Sequence, residues 1–334
     1  MESDRKAWIV SLRAIACMSI VLLHVVSTWV EGSQKTVNGM RYCMDLVIIQ
    51  VLVRWAVPCF VMISGYLLLD ISKNIDIRKL CKYIGKMLLV LITIGYLFCI
   101  IELVVNGERN ASIIVTGLIN LISGNSWAHM WYVYMMIGLY IVTPICRHFV
   151  AHAGEAEWKY TIVGLFIVCI LIPTINDYSG LTITQFLIRN PYIFYYLVGY
   201  YLGTHHFPKY WGGMCMPAGG IGIVAGRIIS EKANVSPDNL FVMLLAIGVF
   251  ILAVKSKWLE NISRFWVIRT VSTCSFGIYL IHNVILNTFY KGLHIYPDIL
   301  PVGIGEILFW MIALLSSWLI VYIFVQLKEK NLRK

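Results

Sequence analysis

The chain has 334 residues, 59% of them hydrophobic and only 13% charged, and carries a net charge of +10. With a mean hydropathy of +0.78, it is excluded from the soluble globular class, where charged residues make up roughly a quarter of the chain. The nine cysteines stand singly with no CxxC pair, so neither a zinc site nor a disulfide framework is expected, and no metal is predicted.

Apolar runs recur from end to end, and a bilayer span needs about 20 such residues. Helices are predicted near 8–29, 44–69, 84–105, 130–146, 159–175, 190–205, 212–230, 238–254, 266–289 and 301–327. The first run lacks a small-residue cleavage site followed by a polar stretch, so it reads as a retained helix and not as a signal peptide. The run at 212–230 is the weakest because it is rich in glycine, and Ala111–Ser126, broken by Gly117 and Gly124, reads as a re-entrant or surface helix. The expected fold is therefore all-α, a polytopic transmembrane helix bundle of about ten helices. It forms one domain over 1–334 with no fused soluble domain.

Lys and Arg in the loops set the orientation. With ten spans and a cytoplasmic N-terminus, 18 of the 27 Lys and Arg fall on the cytoplasmic side and 7 outside, so both termini are expected in the cytoplasm. Positive charge placed there faces anionic lipid, and nucleic acid is not an expected partner.

In so apolar a chain, ionisable residues inside helices carry the information, because lipid does not tolerate them cheaply. The first helix holds Arg13 and His24. Eleven residues at ~100° each fall within about 20° of three full turns, so both side chains share one face, ~16 Å apart along the axis. Such a face must look into the bundle or a watery cavity. Histidine is the natural general base near neutral pH, although a lone intramembrane histidine can also serve only to bond a neighbouring helix.

The second helix carries Arg54, Pro58 and Ser64-Gly65. Pro58 removes a backbone donor. Ser64 and Gly65 suit close helix packing as well as they suit a site. Arg54 needs a partner, for which Glu102 is a candidate. A basic loop follows, with Lys73, Arg78, Lys79, Lys82 and Lys86. It reads either as positive-inside anchoring or as a site for a polyanion such as the phosphates of an acyl carrier. The fourth helix opens on Trp127-Ala-His129-Met-Trp131, with aromatics suited to an interface belt. The ninth holds Ser275, Tyr279 and His282, and His282 is expected at a depth similar to that of His24.

Together these elements resemble the acyltransferase 3 membrane acyltransferases. Arg13 and His24 match the family's spaced arginine–histidine signature. Phe60-Val-Met-Ile-Ser-Gly-Tyr-Leu67 matches its Ile-Ser-Gly-Tyr-Leu element, and Ser275 to His282 its Ser-x-x-Ile-Tyr-Leu-Ile-His element. The segment His129-Met-Trp131 to Pro144 looks like the branch containing the enterobacterial-common-antigen O-acetyltransferase. The resemblance implies an O-acyltransferase that moves a group, usually acetyl from cytoplasmic acetyl-CoA, onto an exported acceptor such as a surface or lipid-linked saccharide. It implies His24 as the catalytic residue with Arg13 in support, and a multi-pass protein of the cell membrane. The family's Arg-x-x-Arg donor motif is matched by Lys79-Leu-Cys-Lys82, both arginines replaced, with Arg78 available to share the role. Acetyl-CoA enters as substrate, with no bound cofactor. The expected partners are acyl-CoA, the acceptor and the bilayer; with no fused extracytoplasmic domain expected, either the acceptor reaches the membrane site directly or a separate extracytoplasmic protein is needed. Polar stripes in a helix bundle also suit a non-enzymatic carrier or exporter.

Overall fold

The computed structural model describes residues 7–33, 48–108, 112–179, 183, 190–229, 235–301 and 303–332. The described residues are helical with turns between them and contain no strand. Cys43 lies outside them, as do Arg5, Lys6, Lys35, Arg41, Arg109, Arg189, Lys232, Arg333 and Lys334 of the charge count. The sequence also offers the outer segments 31–42 and 176–189 as acceptor contacts, and most of both lies outside the described residues. No disulfide joins the described cysteines.

The helices are α1 (Ala7–Ser33), α2 (Ile48–Leu68), α3 (Ile77–Val105), α4 (Ile113–Ile122), α5 (Trp131–His152), α6 (Glu155–Ser179), α7 (Pro191–Thr204), α8 (Lys209–Ile229), α9 (Leu240–Ala253), α10 (Lys257–Ile262), α11 (Trp266–Asn287) and α12 (Ile304–Leu332). Among the described residues, seven of them, α1, α2, α3, α5, α6, α8 and α12, are long and apolar enough to cross a membrane. Three of the predicted segments correspond to α7, α9 and α11, which fall outside that group; α7 and α9 have 14 residues each. At ten residues, α4 is ~15 Å long and too short to span.

Two predicted elements differ from their expectation. The second is interrupted at Arg54–Trp55, four residues before Pro58, which has no N–H to offer the Arg54 carbonyl. The helix resumes at Ala56, with the Cys59 amide bonding the Trp55 carbonyl at 3.0 Å. The third begins at Ile77 and not near 84, because the Asp76 side chain caps it by accepting from the Lys79 amide at 2.9 Å. The residues from Arg78 to Lys86, expected in a loop, are therefore on the helix.

The chain divides into two compact units, Met1–Tyr66 with Lys159–Lys334, and Leu67–Trp158. In the first, α1, α11 and α12 share a core. Ala14, Cys17, Val21 and Val25, spaced along one face of α1, meet Val271, Cys274 and Ile278 of α11 and Phe309 and Ala313 of α12. Contacts along α1 and α11 climb together, Arg13 with Ser275 and His24 with His282, so the two helices run in the same direction. α12 runs the other way, its Trp318 and Tyr322 against Trp266 and its Phe309 against Tyr290. The start of α1 and the end of α12 consequently lie at the same end of this three-helix group.

Glycines set the other crossings of this unit. A Cβ on Gly65 would lie 1.9 Å from the Tyr196 carbonyl oxygen, and one on Gly199 2.3 Å from that of Met62. α2 and α7 thus touch backbone to backbone. The same holds for α8 and α9, where a Cβ on Gly219 would lie 2.3 Å from the Leu245 amide and one on Gly248 2.4 Å from that of Met216. The glycines that weaken the segment 212–230 as a sequence are what let its helix pack so closely.

In the second unit, α4 folds back on α3. Tyr96 donates to the Ile114 carbonyl at 3.0 Å, and Tyr134 of α5 donates to that of Leu121 at 2.6 Å. A π-helical turn at Leu91–Gly95 widens α3, and Ser126 donates to its Gly95 carbonyl at 3.1 Å.

Candidate active site

The shared direction of α1 and α11 brings His24 and His282 side by side, ring centres 5.0 Å apart and planes tilted by 48°. His282 is fully buried and His24 half-buried. The Nδ1 of His282 lies 2.9 Å from the Ile278 carbonyl oxygen. A carbonyl only accepts, so Nδ1 carries the proton, and Nε2 of the neutral ring is the basic nitrogen. Tyr279 stands next to the pair, its ring centre 6.2 Å from that of His282.

Lower on the same seam, Arg13 reaches Ser275, with Nη2 donating to Oγ at 3.4 Å. The Cys17 thiol lies 3.8 Å from the Ser275 carbonyl. On α11, Ser275 and His282 stand seven positions apart, ~10 Å of helix. The two basic positions of the first helix therefore meet α11 at two levels of one line, each facing a polar residue of that helix. That each of them faces α11 is not visible in sequence, because it depends on which distant helix packs on α1. Ser275, quoted only as part of a motif, emerges as the contact of Arg13.

Other candidates fall elsewhere. In the first unit, Ser64 donates to the Phe60 carbonyl of its own helix at 2.9 Å, and Gly65 beside it is a packing contact. Arg54 sits, half-buried, in the interruption of α2. An apolar groove of about 720 Å³ between α2, α8 and α9 is lined by Leu52, Trp55, Gly220, Val224 and Leu245 among others and contains none of the candidate residues.

The second unit holds a different cluster. Glu102 accepts from the Trp127 indole at 3.0 Å, and Trp127 stacks on Phe98 with ring centres 4.2 Å apart. His129 is buried against both rings, at 5.7 Å from Phe98 and 6.2 Å from Trp127, so this aromatic group builds a packed site around a histidine and a carboxylate. Arg78, Lys79 and Lys82 are exposed on the first turns of α3. Arg78, Lys82 and Lys86 recur every four residues and, with Lys79 adjoining, form a basic stripe ~12 Å long.

Arg147, read in sequence only as one more inside charge, bonds three backbone carbonyls ahead of this stripe. Its Nη1 donates to Leu68 at 2.7 Å and Asp70 at 2.9 Å, and its Nη2 to Lys73 at 2.7 Å. Within the same turn, Asp70 accepts from the Ser72 amide and hydroxyl and pairs with Lys73 at 3.1 Å. Partial burial works to raise the Asp70 carboxyl, but the hydrogen bonds from Ser72 and Lys73 and the Lys73 charge outweigh it and hold it below its ordinary value.

No curated protein and no solved structure matches the chain. A family model described as an acyltransferase domain, that of acyltransferase 3, matches residues 6–326. That match takes in both histidines, Arg13 and the basic stripe, and the chain belongs to the acyltransferase 3 family.

Proposed function

We propose that this membrane acyltransferase transfers an acetyl group from cytoplasmic acetyl-CoA to a hydroxyl of an extracytoplasmic acceptor, a surface or lipid-linked saccharide. The observation that carries the reading is the imidazole pair His24–His282 on two helices of like direction.

His24 takes the proton of the acceptor hydroxyl as general base. The hydroxyl oxygen attacks the thioester carbonyl, the new C–O bond forms, and the C–S bond breaks. The proton passes from the imidazolium to the departing thiolate, giving the ester and free CoA. His282, its Nδ1–H held by the Ile278 carbonyl, presents Nε2 as an acceptor that orients and stabilises the His24 imidazolium. Arg13 contacts α11 at Ser275, ~10 Å of helix below His282, so it suits the donor's arm better than the reacting carbonyl. The donor's phosphates bind Arg78, Lys79 and Lys82, whose guanidinium and ammonium groups match phosphate oxygens.

The topology proposed with this reaction has ten crossings and both termini in the cytoplasm, in a bacterial cytoplasmic membrane. Two observations support it: the 18 of 27 Lys and Arg that this arrangement places inside, and the shared end of α1 and α12, which requires an even number of crossings.

The test is thiol release from acetyl-CoA by purified protein, with and without a glycan extract, beside His24→Ala. Release that needs both His24 and the extract supports the reading. Acceptor transport across proteoliposomes without thiol release would replace it with a carrier.

A further inference from the structure

We infer that Arg147 is a positioning residue for the acyl donor: it sets the affinity for the nucleotide end of acyl-CoA by fixing the turn that presents Arg78, Lys79 and Lys82. The inference rests on the donor assignment above and adds to it a residue outside the basic stripe.

A backbone turn between two helices has several carbonyls with no intrahelical partner. Here four of them are taken up by two cations. Lys73 Nζ donates to Leu67 at 3.1 Å, and Arg147 takes Leu68, Asp70 and Lys73. Those acceptors run from Leu67 to Lys73, so the guanidinium fork ties the end of α2 to Lys73, three positions before the Asp76 cap of α3. The Asp76 cap then fixes the first turn of α3 at the Lys79 amide. α3 itself meets α5 farther on, Tyr83 against Tyr140 with ring centres 5.7 Å apart. The stripe is thus held to α5 directly at Tyr83 and, by way of the turn ahead of α3, at Arg147.

Long basic side chains lose freedom on binding, and a mobile mount would add the cost of ordering the turn. A fixed mount removes that second cost. Arg147 itself is occupied by carbonyls, so its effect on the donor passes through the turn. Lysine cannot reproduce it, because a single ammonium lacks the planar fork that reaches separated acceptors.

The experiment compares acetyl-CoA with S-acetylpantetheine, which carries the same thioester but no phosphate, in wild type, Arg147→Ala, Arg147→Lys and the double variant Lys79→Ala/Lys82→Ala. Thermal unfolding of each is followed in parallel. Arg147→Ala should raise the KM for acetyl-CoA about tenfold with kcat within about twofold, and leave kcat/KM for S-acetylpantetheine unchanged. Arg147→Lys should fall between it and the wild type. Equal losses with both donors, or an unchanged KM for acetyl-CoA, would overturn the inference. If Arg147→Ala does not fold, Arg147→Lys decides by the same donor ratio. The double variant tests the underlying assignment separately. If it leaves the acetyl-CoA KM unchanged, the donor site is misplaced; if it raises that KM while the Arg147 variants do not, only the role of Arg147 is wrong.

Discussion

The imidazoles of His24 and His282 face one another at 5.0 Å between ring centres, although 257 residues separate them in the chain. Both belong to the core seam of α1 and α11. One is fully buried with its Nδ1–H directed to a backbone carbonyl, and the other is half-buried. Of the two, His24 is the more accessible to a substrate.

His24→Ala should lower kcat about a thousandfold, in the range of lost general acid–base catalysis. His282→Ala should lower it by about ten- to a hundredfold, because the base remains but loses its support. The check is steady-state thiol release with acceptor present. Equal losses in both variants would mean that the two rings act as one unit.

Arg13→Gln should act mainly on donor KM, by about tenfold, while Ser275→Ala changes kcat/KM by less than about threefold, since its contact with Arg13 is a long one at 3.4 Å. Kinetics with acetyl-CoA as the varied substrate separate the two. A collapse of kcat in Arg13→Gln with unchanged KM would place its guanidinium at the reacting carbonyl instead.

Gly65→Val would drive a side chain into the Tyr196 carbonyl, where even a Cβ comes within 1.9 Å. The obstruction is backbone and cannot rotate away, so a loss of at least about 3 kcal/mol is expected. Gly164→Ala, on α6 with nothing within 4 Å of its Cβ, should be neutral or stabilising by up to about 1 kcal/mol. Thermal melts in detergent distinguish the two.

Asp70 gives a pH-dependent contribution of known sign. Its carboxyl is held below the ordinary value of 3.8 in the folded protein. The stabilisation is therefore full above that value and is lost as pH falls through the lower folded value. Asp70→Asn should cost less than about 1 kcal/mol at pH 7, since the pair with Lys73 is about one-third exposed and open to solvent screening. Wild type and variant should converge as pH falls below the folded value of the Asp70 carboxyl. A difference between their melting temperatures that grows on acidification would reverse the assignment.

Much of this arrangement is legible in the chain itself. Arg13 and His24 are placed on one face by helix geometry alone, and His282 is brought to the depth of His24 by the order of apolar runs. What pattern cannot supply is which helix lies against which. The contact of α1 with α11 comes from a core assembled over the length of the chain, and it alone brings the imidazoles together. Local chemistry explains the shifted boundaries: Pro58 opens α2 at Arg54, and Asp76 starts α3 inside a stretch too charged to read as a span. Gly65 was balanced between packing and function in sequence, and the Tyr196 backbone places it with packing. Arg147 carries no sequence signal, since a basic residue near a helix end looks the same whether it meets lipid or holds a turn.

The seam of glycines between α8 and α9 also bears on how the protein is made. α9 has 14 residues, ~21 Å of helix, against a hydrocarbon layer of about 30 Å. Entering the bilayer alone, it would leave its terminal peptide groups in lipid with no partner. In the proposed ten-crossing topology, α9, locked backbone to backbone on α8 through Gly219 and Gly248, would enter as the second arm of a hairpin with α8. A bulky residue at Gly219 should then be recognised at biogenesis, as degraded or misinserted chains, before any loss of turnover can be measured.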